Sequence, residues 1–144
     1  MSQENIYVPF KSEILDVIKH TAKEYTFRMK FEGECKPGQF FEVSVPKFGE
    51  APISISGIGD DFVDLTIRRV GTVTNEVFEH YKGQYLLMRG PYGNGFDTSL
   101  YTDGETVVVA GGTGVSPVRG VIAALADSAA PKDKHVIVGF KSPD

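Results

Sequence analysis

The order of apolar and polar residues divides the chain into two regions of different period. The first reads as short, half-buried strands: Ser12 to His20 carries Ile14, Val17 and Ile18, and Tyr25 to Phe31 alternates through Tyr25, Phe27, Met29 and Phe31. Phe40 to Val45, Ile53 to Ile58, Phe62 to Val70 and Tyr85 to Arg89 extend the series to about six strands. Gly, Pro or Asp separates them, as in the turn Cys35-Lys36-Pro37-Gly38. This spacing predicts a small antiparallel barrel or sandwich. Between the last two strands, Thr74 to Tyr81 predicts a short helix, with Thr74 as its cap and acidic residues in its first turns.

Beyond Tyr101-Thr102-Asp103-Gly104 the period changes. Thr106 to Ala110 is a continuous apolar run, which predicts a strand covered on both faces of a parallel sheet. A helix is expected next, capped by Ser116, with Pro117 in its first turn and Val118, Ile122, Leu125 and Ala129 on one face. Pro131 is expected to end it, and His135 to Phe140 to form a second buried strand. The expected organisation is therefore a barrel over residues 1–100 and one β-α-β unit over residues 101–144. A unit of this kind normally belongs to a larger open sheet, so the reading expects an incomplete domain, either a fragment or a truncated gene product.

Composition narrows the function classes. The chain has 144 residues and a net charge of −4, and its 15 Lys and Arg are dispersed, so no basic stripe is available for a nucleic acid. The start, MSQENIYVPF, has neither a basic cluster nor an apolar run, and no stretch has the ~20 apolar residues needed to cross a bilayer. A cytoplasmic location without membrane contact is expected. One cysteine, Cys35, excludes an internal disulfide and a four-cysteine cluster within these residues. His20, His80 and His135 are scattered and read as solvated or packing histidines, with no metal site.

Candidate chemistry gathers in three segments. In VVVAGGTGVSPV, Gly111, Gly112 and Gly114 permit a sharp turn and close ligand approach, and the following helix start offers N–H groups to a phosphate. A dinucleotide fingerprint would place a third glycine at position 117, where proline stands, and no P-loop lysine follows. On residues alone, the turn serves either a nucleotide or the packing of strand on helix. In APISIS, Ser54 could hydrogen-bond a polar heterocycle, although alternating Ser and Ile also describe an ordinary half-exposed strand. In IRRVGTVT, Arg68 and Arg69 lie beside Gly71 and Thr74, a grouping that suits a diphosphate or, equally, a solvated surface.

The order APISIS, IRRVGTVT, RGPYGNG, VVVAGGTGVSP resembles the ferredoxin-NADP reductase family over nearly the whole chain, from about Tyr7 to Phe140. GEAPISISG, DLTIRRVG and GPYGNGF are most similar to its anaerobic sulfite reductase B-subunit branch, with dihydroorotate dehydrogenase electron-transfer subunits and hydrogenase flavin subunits as near relatives. The resemblance implies a six-stranded antiparallel FAD-binding barrel followed by the start of a Rossmann-like NAD(P)-binding domain. It implies electron transfer from NAD(P)H through FAD toward an iron-sulfur partner. The implied partners are sulfite-reducing subunits that carry iron-sulfur clusters or siroheme, and the family's own [2Fe-2S] cluster would lie beyond these residues.

Carried over residue by residue, the resemblance places Ser54 at the reactive flavin nitrogen as the catalytic position and Ile53 over the ring. Pro52, Ile67, Arg68, Arg69, Gly71, Val73 and Thr74 complete the flavin contacts, and Gly111, Gly112, Thr113, Gly114 and Pro117 form the nicotinamide-nucleotide turn. Proline is expected at position 117 in this family. Ala51 and Ile53 depart from its usual arginine and aromatic residue, which shifts phosphate recognition to Arg68 or Arg69. The truncated domain is expected to oxidise NADH poorly, and its exposed edges to favour a homodimer. A reading of a different class is an interaction module that holds no flavin.

Overall fold

The computed structural model describes residues 5–101, 104–129 and 132–142. Six antiparallel strands close into a barrel: β1 (Phe10–Lys19), β2 (Glu24–Lys30), β3 (Phe40–Val45), β4 (Gly49–Ile58), β5 (Phe62–Arg68) and β6 (Tyr85–Tyr92), in the order β1-β2-β5-β4-β3-β6. Helix α1 (Thr72–His80) joins β5 to β6. Strands β7 (Glu105–Gly111) and β8 (Asp133–Gly139) pair in parallel around helix α2 (Val115–Asp127).

Alternation fills the barrel. Phe27, Met29, Phe41, Val43, Val63, Leu65, Ile67 and Met88 point inward and are almost wholly buried. Phe78 of α1 closes one end against Tyr25, with ring centroids 4.5 Å apart, and against Phe27 at 5.9 Å. Burial of several aromatic rings at this joint fixes the helix, and therefore the loop that enters it. Among the described residues, no buried side-chain polar atom lacks a partner.

Several boundaries and caps differ from the sequence reading. β4 begins at Gly49 rather than Ile53, and β6 runs through Pro91 to Tyr92 rather than stopping at Arg89. Pro52 is tolerated because β4 meets β5 only from Ile55 onward, so residues 49–54 hydrogen-bond to β3 on one side and have no strand on the other. Gly71, in extended conformation, is the N-cap of α1, and Thr74 sits three residues in. No acidic residue lies in the first turn, because Glu76 and Glu79 fall further along the helix. Gly114 caps α2, and Ser116 is its buried second residue.

The β-α-β unit also corrects an expectation. β7 is not covered on both faces: Val107 and Val109 are 49% and 68% exposed, and Val136, Ile137 and Val138 of β8 are exposed as well. The continuous apolar run reads as doubly buried, yet α2 covers only one face of the described pair. α2 buries Val121 and Leu125 most deeply, with Val118 and Ile122 half-buried and Ala129 past its end. Pro131, expected to stop the helix, lies outside the described residues. Gly120 seats α2 on the barrel, since a Cβ there would stand 2.9 Å from Pro37 Cβ.

Candidate functional site

The free side of β4 is the first component. Strand pairing puts Ser54 opposite Phe40 and Ile53 opposite the buried Phe41. Ile53 is therefore half-buried against the barrel core, and only its outer part is left to cover a ring. Ser54 is half-buried and makes no side-chain hydrogen bond among the described residues. Pro52 is exposed on the same stretch.

The α1 entry loop lies next to this edge, because a Cβ built at Gly49 of β4 would touch Val73 Cγ2 at 3.8 Å. Thr74 shapes the loop. Its Oγ1 accepts the N–H groups of Val70 and Gly71 at 3.0 and 2.9 Å and donates to the Gly71 carbonyl at 3.1 Å. The first intrahelical bond runs from Asn75 N–H to Gly71 O, so the amides of Thr72, Val73 and Thr74 face the helix mouth without an intrahelical acceptor. A Cβ at Gly71 would meet nothing within 4 Å, which leaves room for a ligand beside the backbone. Ile67 contributes only main chain here, since its side chain is in the core.

The two arginines are not equivalent. Arg69 is committed to α1: its Nε donates to Asn75 Oδ1 at 3.3 Å and its Nη2 to Glu79 Oε1. Arg68 is half-exposed and has no hydrogen-bond partner among the described residues; its Nε stands 4.0 Å from Glu24 Oε1. Glu24 and Arg68 are directly paired across β2 and β5, which is why they meet.

The glycine turn faces the same place. Gly111 ends β7, and Gly112, Thr113 and Gly114 form a single 3₁₀ turn before α2. Gly112 has φ +53°, a left-handed conformation that glycine adopts without a Cβ clash. Thr113 Oγ1 donates to Glu24 Oε1 at 2.9 Å. One carboxylate oxygen thus joins Arg68 of the barrel to the turn. Pro117 lies half-buried in the first turn of α2.

Between the turn and β1, β2 and β5 is a cavity of about 510 Å³, walled by His20, Glu24, Thr66, Thr113, Arg119 and Phe140 among others. It lies at the carboxyl ends of β7 and β8, where open α/β sheets hold their ligands. A second cleft of about 1220 Å³, on the β1–β6 side, is lined by Arg89 to Tyr92 of the RGPYGNG segment but by none of the flavin- or nucleotide-contact residues expected from sequence. Neither cavity is lined by Ser54 or Gly71.

A chain of hydroxyls backs the cavity. Ser56 Oγ donates to the Asp64 carbonyl at 3.1 Å, so it accepts from Thr66 Oγ1 at 2.8 Å. Thr66 in turn accepts from Thr26 at 2.8 Å, and Thr26 from His20 Nε2 at 2.7 Å. Each hydroxyl has one hydrogen, so the terminal carbonyl fixes every direction and requires a hydrogen on His20 Nε2. Arg119 of α2 donates to the Ser56 carbonyl at 3.3 Å and ties the helix to the same strand. Sequence reading missed Glu24, Thr26, Thr66 and Arg119 and dismissed His20. Their roles depend on which strands pair, information that no single segment carries.

Other groups are structural. Hydrogen bonding from Arg89 holds the Glu50 carboxyl below the usual carboxylate range, with Ser44 assisting. Hydrogen bonds from the Ser99 side chain and backbone do the same for Asp97. Partial burial pushes the Cys35 thiol up, away from reactive thiolate character. No group of three or more His, Cys, Asp and Glu among the described residues could hold a metal ion. None of the described helices is long and apolar enough to cross a membrane.

A closed six-stranded antiparallel barrel carrying a glycine turn at the head of a parallel β-α-β unit is the fold of the ferredoxin-reductase class of flavin- and nucleotide-binding reductases. The ferredoxin reductase in carbazole 1,9a-dioxygenase superposes with a TM-score of 0.78 at 21% identity, over 94% of this chain and 43% of that one. Phthalate dioxygenase reductase gives 0.78 at 14%, over 94% and 44%. A ferredoxin-NADP+ reductase variant from Plasmodium falciparum gives 0.78 at 17%, over 98% and 62%.

In sequence, the homologues are subunits of larger enzymes. Sulfhydrogenase 2 subunit gamma of Pyrococcus furiosus is 36% identical over 146 aligned positions, 96% of this chain and 51% of its own length. A probable dihydroorotate dehydrogenase B (NAD(+)) electron transfer subunit of Methanothermobacter thermautotrophicus is 35% identical over 92% of this chain and 48% of its own. The chain spans about half the length of these relatives. No family model matches it.

Proposed function

We propose that this chain is the flavin-binding module of an electron-transfer subunit in the ferredoxin-reductase family, carrying reducing equivalents from NAD(P)H through FAD to an iron-sulfur partner. Residues 1–100 form the FAD barrel, and residues 101–144 the first β-α-β unit of the nucleotide domain. The observation that carries this reading is that one Glu24 oxygen joins Arg68, three residues before the entry glycine of α1, to Thr113 of the glycine turn.

The residues present fit a flavin diphosphate. The amides of Thr72 to Thr74 and the Arg68 guanidinium supply donors where Ala51 supplies none, and Gly71 allows close approach. When bound, FAD accepts an electron pair as hydride and releases electrons singly. With FAD held there, the half-buried Ser54 would offer its hydroxyl to the ring edge, and the outer part of Ile53 would exclude water beside it. Thr113 and the α2 mouth, which wall the cavity between barrel and turn, would hold the donor nucleotide.

For the acceptor, the relatives point to a hydrogenase or dihydroorotate dehydrogenase assembly, whereas GEAPISISG, DLTIRRVG and GPYGNGF support sulfite reduction with partner subunits bearing iron-sulfur clusters or siroheme. The experiment is FAD titration followed by flavin fluorescence in Arg68→Ala and Arg69→Ala. Loss of a charge-assisted contact worth about 1.5–3 kcal/mol weakens binding roughly 10- to 100-fold in Arg68→Ala. Arg69→Ala loosens α1 and affects affinity less. A wild-type chain that stays colourless after incubation with FAD overturns the proposal and favours the flavin-free module.

A further inference from the structure

We propose that Glu24 is a built-in counter-anion that gates phosphate access to Arg68 and, when a phosphate takes Arg68, remains as the acceptor that holds the glycine turn against the barrel. The inference rests on the flavin reading for the identity of the natural phosphate ligand, but not for the gate itself.

Three facts lead to it. A single oxygen, Glu24 Oε1, lies 2.9 Å from Thr113 Oγ1 and 4.0 Å from Arg68 Nε. The Thr113 contact is a proper hydrogen bond, whereas the Arg68 contact sits at the outer limit of an ion pair, so the two interactions are unequal and the weaker one is to the cation. Glu24 also forms part of the wall of the 510 Å³ cavity with a side chain only 26% exposed, which reduces solvent screening of its charge.

The consequences follow from charge. Without a ligand, Glu24 partly neutralises Arg68, which has no other partner among the described residues. An incoming phosphate meets the guanidinium and the carboxylate together and is repelled by the latter. As phosphate takes over Arg68, Glu24 gives up the weaker of its two contacts and keeps Thr113. Anion binding at the barrel and closure of the turn are then coupled, and by linkage each favours the other.

Glu24→Gln tests this because the amide keeps a carbonyl to accept from Thr113 while the charge disappears. The first measurement is the Arg68 Nε–Hε NMR signal during titration with inorganic pyrophosphate, in wild type and Glu24→Gln. The expected result is half-saturation at about tenfold lower pyrophosphate in the variant at low salt, with a smaller gain at 0.5 M NaCl, as expected for removal of one nearby like charge. The second is FAD affinity in the same proteins, with the same direction expected. Thr113→Val removes the latch but leaves the charge, and should give no gain for pyrophosphate.

Equal pyrophosphate midpoints in wild type and Glu24→Gln, or weaker binding by the variant, overturn the gate whether or not the chain binds FAD. A gain with pyrophosphate in proteins that never take up FAD leaves the gate standing and removes the flavin reading. A gain equal in size for Thr113→Val shows that loosening of the turn, not charge, controls access, and also overturns the gate.

Discussion

Thr74→Val isolates what holds the α1 entry loop in shape. The substitution is nearly isosteric and removes only the hydroxyl that accepts from Val70 and Gly71 and donates to the Gly71 carbonyl. At roughly 0.5–1.5 kcal/mol for each bond, three bonds set an upper limit of about 4.5 kcal/mol. Val70 and Gly71 are exposed, however, so their freed amides can turn to water. The cost should therefore resemble that of a lost helix cap, about 1–2 kcal/mol. Urea denaturation should show the midpoint falling with the slope unchanged, and thermal melts should drop by about 2–8 °C. Thr74→Ser keeps the hydroxyl and should stay within about 0.5 kcal/mol of wild type. FAD affinity should fall in the Val variant even under conditions where it is fully folded, because the loop no longer presents its amides in a fixed direction. If Val and Ser variants melt together, the hydroxyl does not organise the loop.

Two further predictions concern packing and acid stability. Gly120→Val places a Cβ within about 3 Å of the Pro37 ring, which cannot rotate away; the steric cost of about 1–3 kcal/mol outweighs the helix-propensity gain, and faster proteolysis between α2 and the barrel would show the helix lifting. Since the folded Glu50 carboxyl is held below its ordinary range by Arg89, its stabilising effect is complete above that range and is lost as pH falls through the depressed value. Glu50→Gln should accordingly flatten the acid limb of a stability-against-pH curve, and an unchanged acid limb would refute the role assigned to that pair.

Much of the barrel was legible because a strand with one buried face writes its period directly into the sequence. Tyr25 to Phe31 is an example: Phe27 and Met29 are wholly buried, and the span matches β2 to within one residue at each end. Caps were less legible. Thr74 and Ser116 have the chemistry of N-caps, yet each sits inside its helix and a glycine occupies the cap, because Thr74 can reach back from the third helical position and a 3₁₀ turn delivers Gly114 to the start of α2. The apolar run Thr106 to Ala110 misled for a different reason. Composition reports what a strand could bury, whereas exposure depends on which surfaces accompany it.

The candidate site could be read from sequence only as separate segments, not as a constellation. APISIS, IRRVGTVT and VVVAGGTGVSP were singled out as segments, but nothing in them distinguishes Arg68 from Arg69. The distinction arises from pairing. Arg69 lies where α1 turns back and offers Asn75 and Glu79, while Arg68 lies opposite Glu24, its partner across the β2–β5 ladder and distant in sequence. The same register aligns Thr26 with Thr66 and so builds the hydroxyl chain that orients His20. Glu24, Thr26 and Thr66 at the β2–β5 seam therefore determine which arginine is left without a hydrogen bond among the described residues and how the glycine turn is held, although none carries a recognisable motif. Substitutions that preserve all three motifs but shift this register should abolish the arrangement without altering a single residue that sequence reading would have chosen.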